Sequence, residues 1–192
     1  MDRSPENLKN EMKLLDAARA LAPKLRARAL KADQDCRISD ETVAEMKAAG
    51  LFKVMQPKAW GGYELDPRVF YHVQSILAES CMSTAWIYGV MGVHPWQIAR
   101  YPLKVQEAVW GKDDTTLVAS TYMPVAKVNP VDGGYEVSGR WGFSSGCEHA
   151  DWFLLGGIIP AQNGRAPEHG TFLIHKKDVV IHKNWDVLGV RG

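Results

Sequence analysis

The 192-residue sequence lacks the features that mark several large classes of protein. Its three cysteines, Cys36, Cys81 and Cys147, are odd in number, widely spaced and without a CxxC pair, which argues against a disulfide framework or a cysteine zinc site. Reduced thiols of this kind are typical of a cytoplasmic protein. No apolar run approaches the ~20 residues that a membrane helix needs, and the first residues contain no apolar stretch of a secretory signal.

The sequence also lacks an excess of charge of either sign. The sequence has 23 Lys and Arg against 22 Asp and Glu, a formal net charge of +1, and contains no basic block that would bind nucleic acid. We therefore expect neither nucleic acid nor a membrane among its partners. Glu148, His149 and Asp151 form an acidic–histidine cluster after a predicted strand, which we interpret as a surface loop, and we predict no metal site.

The composition that is present, 46% hydrophobic and 23% charged, is that of a soluble globular protein. A helical period dominates the chain up to residue 113, beginning after the N-cap Ser4 and Pro5. Further helices are predicted from Ser39, from Asp66, over 84–93 and over 102–110. The apolar stripe of the first helix is predicted to comprise Leu8, Met12, Leu15, Ala18, Ala22 and Leu25.

Strand signals replace the helical period after residue 113. The turn 132–134 (Asp-Gly-Gly) opens an alternating run, and 160–170 is a predicted loop. An α-helical domain over 1–113 is therefore expected to precede a β-domain over 114–192. The predicted strands are 116–120, 135–143, 152–159, 170–175 and 179–183.

The segment 141–146 (WGFSSG) is the most informative motif of the chain. Its two adjacent hydroxyls, flanked by aromatic residues and a glycine, can hydrogen-bond a flat ligand at a strand end. Ser145 is our first choice for such a contact, and Ser144 replaces it if the register differs by one, because alternate strand residues face opposite sides. The competing interpretation is a serine that bonds its own strand end.

Three further segments stand in register with this one: 81–86 (CMSTAW), 92–96 (GVHPW) and 118–120 (VAS). In this order and spacing the chain, from about Leu14 to its last residue, resembles the acyl-CoA dehydrogenase fold. More narrowly, it resembles the flavin-dependent monooxygenases built on that fold, the oxygenase components of two-component hydroxylases of the 4-hydroxyphenylacetate or steroid-ring phenol type. The resemblance implies an α+β multidomain protein, an N-terminal all-α domain followed by a β-barrel or sandwich, with the C-terminal helical bundle of those enzymes absent.

The resemblance also implies an activity. Such an enzyme hydroxylates an aromatic, phenolic substrate through a flavin C4a-hydroperoxide, with reduced FMN or FADH2 supplied by a separate NAD(P)H:flavin reductase and molecular oxygen as co-substrate. The full-length protein is expected to be a homo-oligomer, a tetramer. We expect the 192 residues alone, either a fragment or a natural truncation, to be inactive or poorly coupled.

Residue roles follow from the same resemblance. Ser145 matches a serine that contacts flavin N5, and Ser120 matches a serine near the substrate end of the pocket. His94 matches a histidine that contacts the substrate phenol, where an imidazole stabilises phenolate or accepts its proton. The competing interpretation of His94 is a histidine at a buried helix break whose ring bonds a backbone carbonyl. Pro95 predicts that His94 lies at a helix end.

Two tryptophans complete the expected site. Trp86 matches an aromatic residue near the flavin ring, and Trp141 is placed to flank the ring system. For both, packing in the protein core is the competing interpretation.

Two other functions stay open at this point: an acyl-CoA dehydrogenase with bound FAD, and a non-catalytic remnant of the fold. The stretch 120–127 lacks the acidic Gly-Ser-Asp sequence of the dehydrogenases, and the segment containing His94 is typical of the hydroxylase branch. Both features favour the hydroxylase. A sulfur- or nitrogen-oxidising monooxygenase also stays open, as do the substrate and the choice between FMN and FAD.

Overall fold

The computed structural model describes residues 4–162 and 164–192. The chain divides into two compact units: a helical unit that ends at Thr116 and also includes His182–Gly192, and a sheet unit, Leu117–Ile181. The predicted fold class, a helical part followed by a β part, is confirmed. The domain limits 1–113 and 114–192 stay predictions.

The first helix, α1, spans Pro5–Gln34, and the Ser4 hydroxyl accepts a hydrogen bond from the backbone N–H of Asn7. The predicted apolar stripe is partly wrong, because Leu8 is 38% exposed and Met12 is 61% exposed. The helix carries apolar residues on overlapping stripes, and the helices packed against it determine which stripe is buried. The buried residues of α1 are Asn7, Leu14, Ala18, Leu21, Leu25 and Ala32.

Local capping chemistry places the next two helices as predicted. Helix α2 (Asp40–Ala48) begins after Ser39, whose hydroxyl accepts from the backbone N–H of Thr42. Ile38 and Val43 are both buried, as a hydrophobic staple requires. Helix α3 (Pro67–Ala78) begins after Asp66, whose carboxylate accepts from the backbone N–H two residues later.

The helical unit continues with α4 (Met82–Gly92), α5 (His94–Ile98) and α6 (Leu103–Trp110). Helix α4 is buried along most of its surface, and its Tyr88 ring stacks on Phe70 at 4.9 Å between centroids. Within the described ranges 4–162 and 164–192, no helix has both the length and the apolar character to cross a membrane. Short 3-10 turns occur at Leu51–Lys53, Lys58–Trp60, Cys147–His149 and Lys176–Asp178.

Among the residues described in the sheet unit, four strands lie in the order β2-β1-β3-β4, with bounds Val118–Val131 (β1), Gly134–Ser138 (β2), Trp152–Ile159 (β3) and Glu168–His175 (β4). The pairs β1–β2 and β3–β4 are antiparallel, and β1–β3 is parallel. Asp132 and Gly133 form the two-residue loop between β1 and β2. Gly133 has φ of +76°, the left-handed value that such tight hairpin turns favour.

The predicted strand β3 matches the structure, whereas other limits were wrong. Strand β1 is far longer than 116–120, β2 ends at Ser138, and β4 begins inside the predicted loop 160–170, of which Asn163 lies outside the described residues. The segment 179–183 is in no strand, because a 3-10 turn at Lys176–Asp178 ends the pairing and residues from His182 onward cluster with the helical unit.

Candidate functional site

Four of the six candidate residues lie in the sheet unit. Ser120 is on β1, where it pairs in register with Leu154 of β3. Trp141, Ser144 and Ser145 lie between β2 and β3, in the segment 139–146, which we call the serine segment. The expectation that these serines lie at a strand end was wrong, because strand pairing stops at Ser138.

A turn shapes the end of the serine segment. The carbonyl oxygen of Ser144 accepts from the backbone N–H of Cys147 at 3.1 Å, and Gly146 between them has φ of +80° and ψ of 4°. These are the values that a type II turn requires at its third residue, where glycine is favoured. Ser145 is therefore the second residue of this turn. Phe143 has φ of +57° and is 78% exposed, an unusual backbone conformation for an aromatic residue.

Ser144 carries a buried hydroxyl whose Oγ has no hydrogen-bond partner among the residues that the structure describes. Leaving a buried polar atom unpaired costs about 1–3 kcal/mol, so such atoms are where a bound polar group gains most. The orphan Oγ is thus a physical reason to place a ligand at the serine segment.

Trp141 is fixed by the sheet. Its indole Nε1 donates to the carbonyl oxygen of Gly156 at 2.9 Å. Its ring also covers Gly139 so closely that a Cβ added there would lie 3.0 Å from Cη2 of the tryptophan. Packing therefore determines the orientation of Trp141, and its contact with a flavin stays a prediction.

A bulge in β1 lies beside this site. Thr121 pairs with Leu155 and Ala126 pairs with Gly157, so five steps along β1 correspond to two along β3. Residues 122–125, which lie opposite the single residue Gly156, form what we call the β1 bulge. This bulge was not predicted from the sequence. The Gly156–Gly157 pair inside an apolar strand was a usable signal, because strand glycines often mark a bulge or a close backbone approach.

The other two candidates lie in the helical unit. Trp86 is on α4 and 50% exposed, so the interpretation as a core residue was wrong for it. His94 is the first residue of α5, which confirms its predicted position at a helix end, and it is only 2% exposed.

The environment of His94 keeps its imidazole neutral. Burial lowers the pKa of His94 from 6.5 to about 4, against a smaller opposing effect of its hydrogen bond with Gln97. Nδ1 lies 3.3 Å from Oε1 of Gln97, and buried Nε2 has no partner within the described part of the chain. Because Oε1 accepts, Nδ1 carries the hydrogen and Nε2 is left as an acceptor. Nδ1 of His94 therefore bonds a side-chain amide, not the backbone carbonyl of the competing interpretation.

Comparison with known proteins gives the family. The model of the acyl-CoA dehydrogenase N-terminal domain matches residues 9–112, more than half of the chain. The chain belongs to this family. Its helical unit contains the whole of the matched range.

Individual relatives show that, within this family, the chain is similar to flavin-dependent monooxygenases. The chain is 41% identical over 173 residues to the flavin-dependent monooxygenase oxygenase subunit HsaA of Rhodococcus jostii (strain RHA1), covering 90% of this chain and 45% of that protein. It is 40% identical over 179 residues to HsaA of Mycobacterium tuberculosis (strain ATCC 25618 / H37Rv), covering 93% and 45%. The crystal structure of the HsaA monooxygenase from M. tuberculosis matches with a TM-score of 0.90 and 39% identity, covering 94% of this chain and 50% of that chain.

These comparisons confirm the resemblance to flavin-dependent monooxygenases of the acyl-CoA dehydrogenase fold. The chain spans about half the length of the relatives it matches.

Proposed function

We propose that the chain is part of the oxygenase component of a two-component flavin-dependent monooxygenase that hydroxylates a phenolic aromatic compound. The observation that carries this proposal is the 40–41% identity to HsaA oxygenase subunits over 90% or more of the chain. The description of those relatives as oxygenase subunits supports a separate NAD(P)H:flavin reductase as the partner that supplies reduced FMN or FADH2. Acyl-CoA dehydrogenation is not proposed, because these relatives are named monooxygenases.

The serine segment is proposed to hold the flavin. Ser145 is proposed to contact N5 of the ring, and the unpaired Oγ of Ser144 offers a second hydrogen bond. Trp141, held by Gly156, is proposed to flank the ring, and Ser120 to face the substrate. When bound, the reduced flavin supplies the activation of molecular oxygen for transfer to the aromatic ring.

Within the helical unit, Trp86 is proposed to contact the flavin ring and His94 the substrate phenol. The exposed Trp86 is available to an aromatic ligand, as a fully buried residue would not be. His94 is proposed to orient the substrate by accepting the phenol hydrogen at Nε2. Its low pKa argues against a charged imidazolium as the stabiliser of phenolate, so of the two roles expected from the sequence the acceptor role is the better supported.

An anaerobic titration tests the proposal. The chain is titrated with reduced FMN and, separately, with FADH2 by calorimetry, and Ser145→Ala and Ser144→Ala are compared with it. We expect saturable binding that weakens by about tenfold in Ser145→Ala, the size of one lost hydrogen bond in a buried site. Ser138→Ala, at the exposed end of β2, is the matched control and binds like the parent. Absence of binding of both reduced flavins by the parent chain contradicts the proposal.

We also propose a homo-oligomer, a tetramer in the full-length enzyme, and a cytoplasmic location. The three free cysteines support a reducing compartment. Light scattering after size exclusion measures the oligomer, and a monomeric full-length protein contradicts that part of the proposal.

A further inference from the structure

The β1 bulge is held by a residue from outside its own strand. His169 of β4 donates from Nε2 to the carbonyl oxygen of Tyr122 at 2.8 Å. A carbonyl oxygen only accepts, so Nε2 carries the hydrogen. His169 pairs in register with Ile158 of β3, and β3 lies between β4 and β1. The side chain of His169 therefore connects β4 to the β1 bulge across β3.

Gly156 allows the bulge to lie close against β3. A Cβ added at Gly156 would be 2.2 Å from the carbonyl oxygen of Tyr122 and 2.9 Å from that of Met123, distances that no side chain tolerates. Gly156 falls between the two registered parts of the β1–β3 pairing, and its own carbonyl oxygen accepts from Trp141. Two features therefore define the position of the bulge: Gly156 has no side chain that would push it away from β3, and His169 donates a hydrogen bond to it.

The bulge also reaches the serine segment. A Cβ at Gly142 would lie 3.8 Å from Cε of Met123, an ordinary van der Waals distance, and Gly142 is two residues before Ser144. Tyr122, Met123 and Val125 are partly exposed apolar side chains. A shift of the bulge would consequently move a side chain, Met123, that lies against the serine segment at Gly142, two residues before the unpaired hydroxyl of Ser144.

We propose that His169 is a positioning residue for the binding of reduced flavin. Its hydrogen bond to Tyr122 fixes the β1 bulge, and with it Met123, against the serine segment. The inference rests on the proposed function, since it assigns a role in the same site. The role proposed for His169 is indirect: it acts through the bulge, and we assign it no contact with the reacting atoms.

Three variants of the 192-residue chain test the role. His169→Leu removes the donor, His169→Gln keeps an N–H at a similar reach, and His72→Leu removes an exposed histidine of α3 as the matched control. Anaerobic calorimetry gives the Kd for reduced FMN. Hydrogen–deuterium exchange over residues 120–126 reports the position of the bulge without any ligand.

His169→Leu is expected to raise the Kd about three- to tenfold, the range of one net hydrogen bond, and to speed exchange over 120–126 while the β3–β4 ladder keeps its protection. His169→Gln is expected to restore both values to within about twofold of the parent, and His72→Leu to match the parent. This rescue separates a lost donor from general destabilisation of the sheet.

Two results overturn the inference while leaving the proposed function intact: the parent binds reduced FMN and His169→Leu binds equally well, or His169→Leu and His169→Gln weaken binding to the same extent. Failure of the parent to bind either reduced FMN or FADH2 removes the proposed function, and the inference with it.

Discussion

Replacing His94 with glutamine is expected to remove a pH dependence from the stability of the helical unit. Burial lowers the pKa of the folded His94 imidazole from 6.5 to about 4. Below pH 6.5 the unfolded chain therefore binds a proton that the folded chain does not, so stability falls as the pH falls and levels off near pH 4. Above pH 6.5 both states are neutral and His94 contributes no slope.

The size of the effect follows from the same shift. At pH 5, about 1.5 units below the ordinary histidine pKa, the loss is about 1.5 × 1.36, or about 2 kcal/mol of unfolding free energy relative to neutral pH. Most carboxylates are still ionised at pH 5, so the imidazole dominates this interval. Glutamine does not titrate, and His94→Gln is expected to lose this 2 kcal/mol difference whatever its stability at pH 7.

Urea unfolding followed by the helical circular dichroism signal, at pH 7 and pH 5, measures the difference. His72→Gln, an exposed histidine of α3, is the matched control and is expected to keep the slope of the parent. An NMR titration of the imidazole of His94 gives its pKa directly. Equal pH slopes for the parent and His94→Gln, or a measured pKa near 6.5, would show that the imidazole is not held neutral by burial.

Three further substitutions test the fold. Gly156→Ala is expected to displace the β1 bulge and lower the unfolding free energy by about 1–3 kcal/mol, whereas Gly134→Ala, with open space around it, stays close to the parent in urea unfolding. Glu45→Gln is expected to reduce the fall of the unfolding free energy in acid. The hydrogen bond from Arg28 lowers the pKa of Glu45 to about 2, so the stability that this carboxylate contributes is complete above pH 4.5 and is lost towards pH 2. Unfolding at pH 5 and pH 3 measures this, and an unchanged slope contradicts it. Ser39→Ala is expected to lower the unfolding free energy by about 1 kcal/mol, because it removes the cap of α2. Ser39→Thr is expected to retain most of the stabilisation by this cap, as measured by thermal unfolding.

Features set by neighbouring residues could be predicted from the sequence. Ser39 and Asp66 begin helices because their side chains accept from backbone groups two or three residues away, and that chemistry is visible in a short window. Strand β3 was predicted because an apolar run bounded by turns needs no knowledge of its partners.

Features that depend on residues distant in the sequence could not be predicted in this way. The β1 bulge depends on Gly156 and His169, more than 30 residues further along the chain. The histidine has no ligand spacing or local pattern to indicate its role. Likewise, β2 was predicted too long: its pairing with β1 stops at Ser138, and Trp141 instead donates to the carbonyl oxygen of Gly156 in β3. Tertiary contacts of this kind override local strand propensity.

The proposed monooxygenase activity is tested by the origin of the oxygen atom in the product. The protein extended to full length is incubated with reduced FMN or FADH2, 4-hydroxyphenylacetate and other simple phenols under 18O2, and mass spectrometry measures the label even where most oxygen is released as peroxide. We expect a hydroxylated phenol whose new oxygen carries 18O, with less of this product from Ser145→Ala. A hydroxylated product without the label, or no hydroxylated product from any phenol although reduced FMN binds, would contradict it.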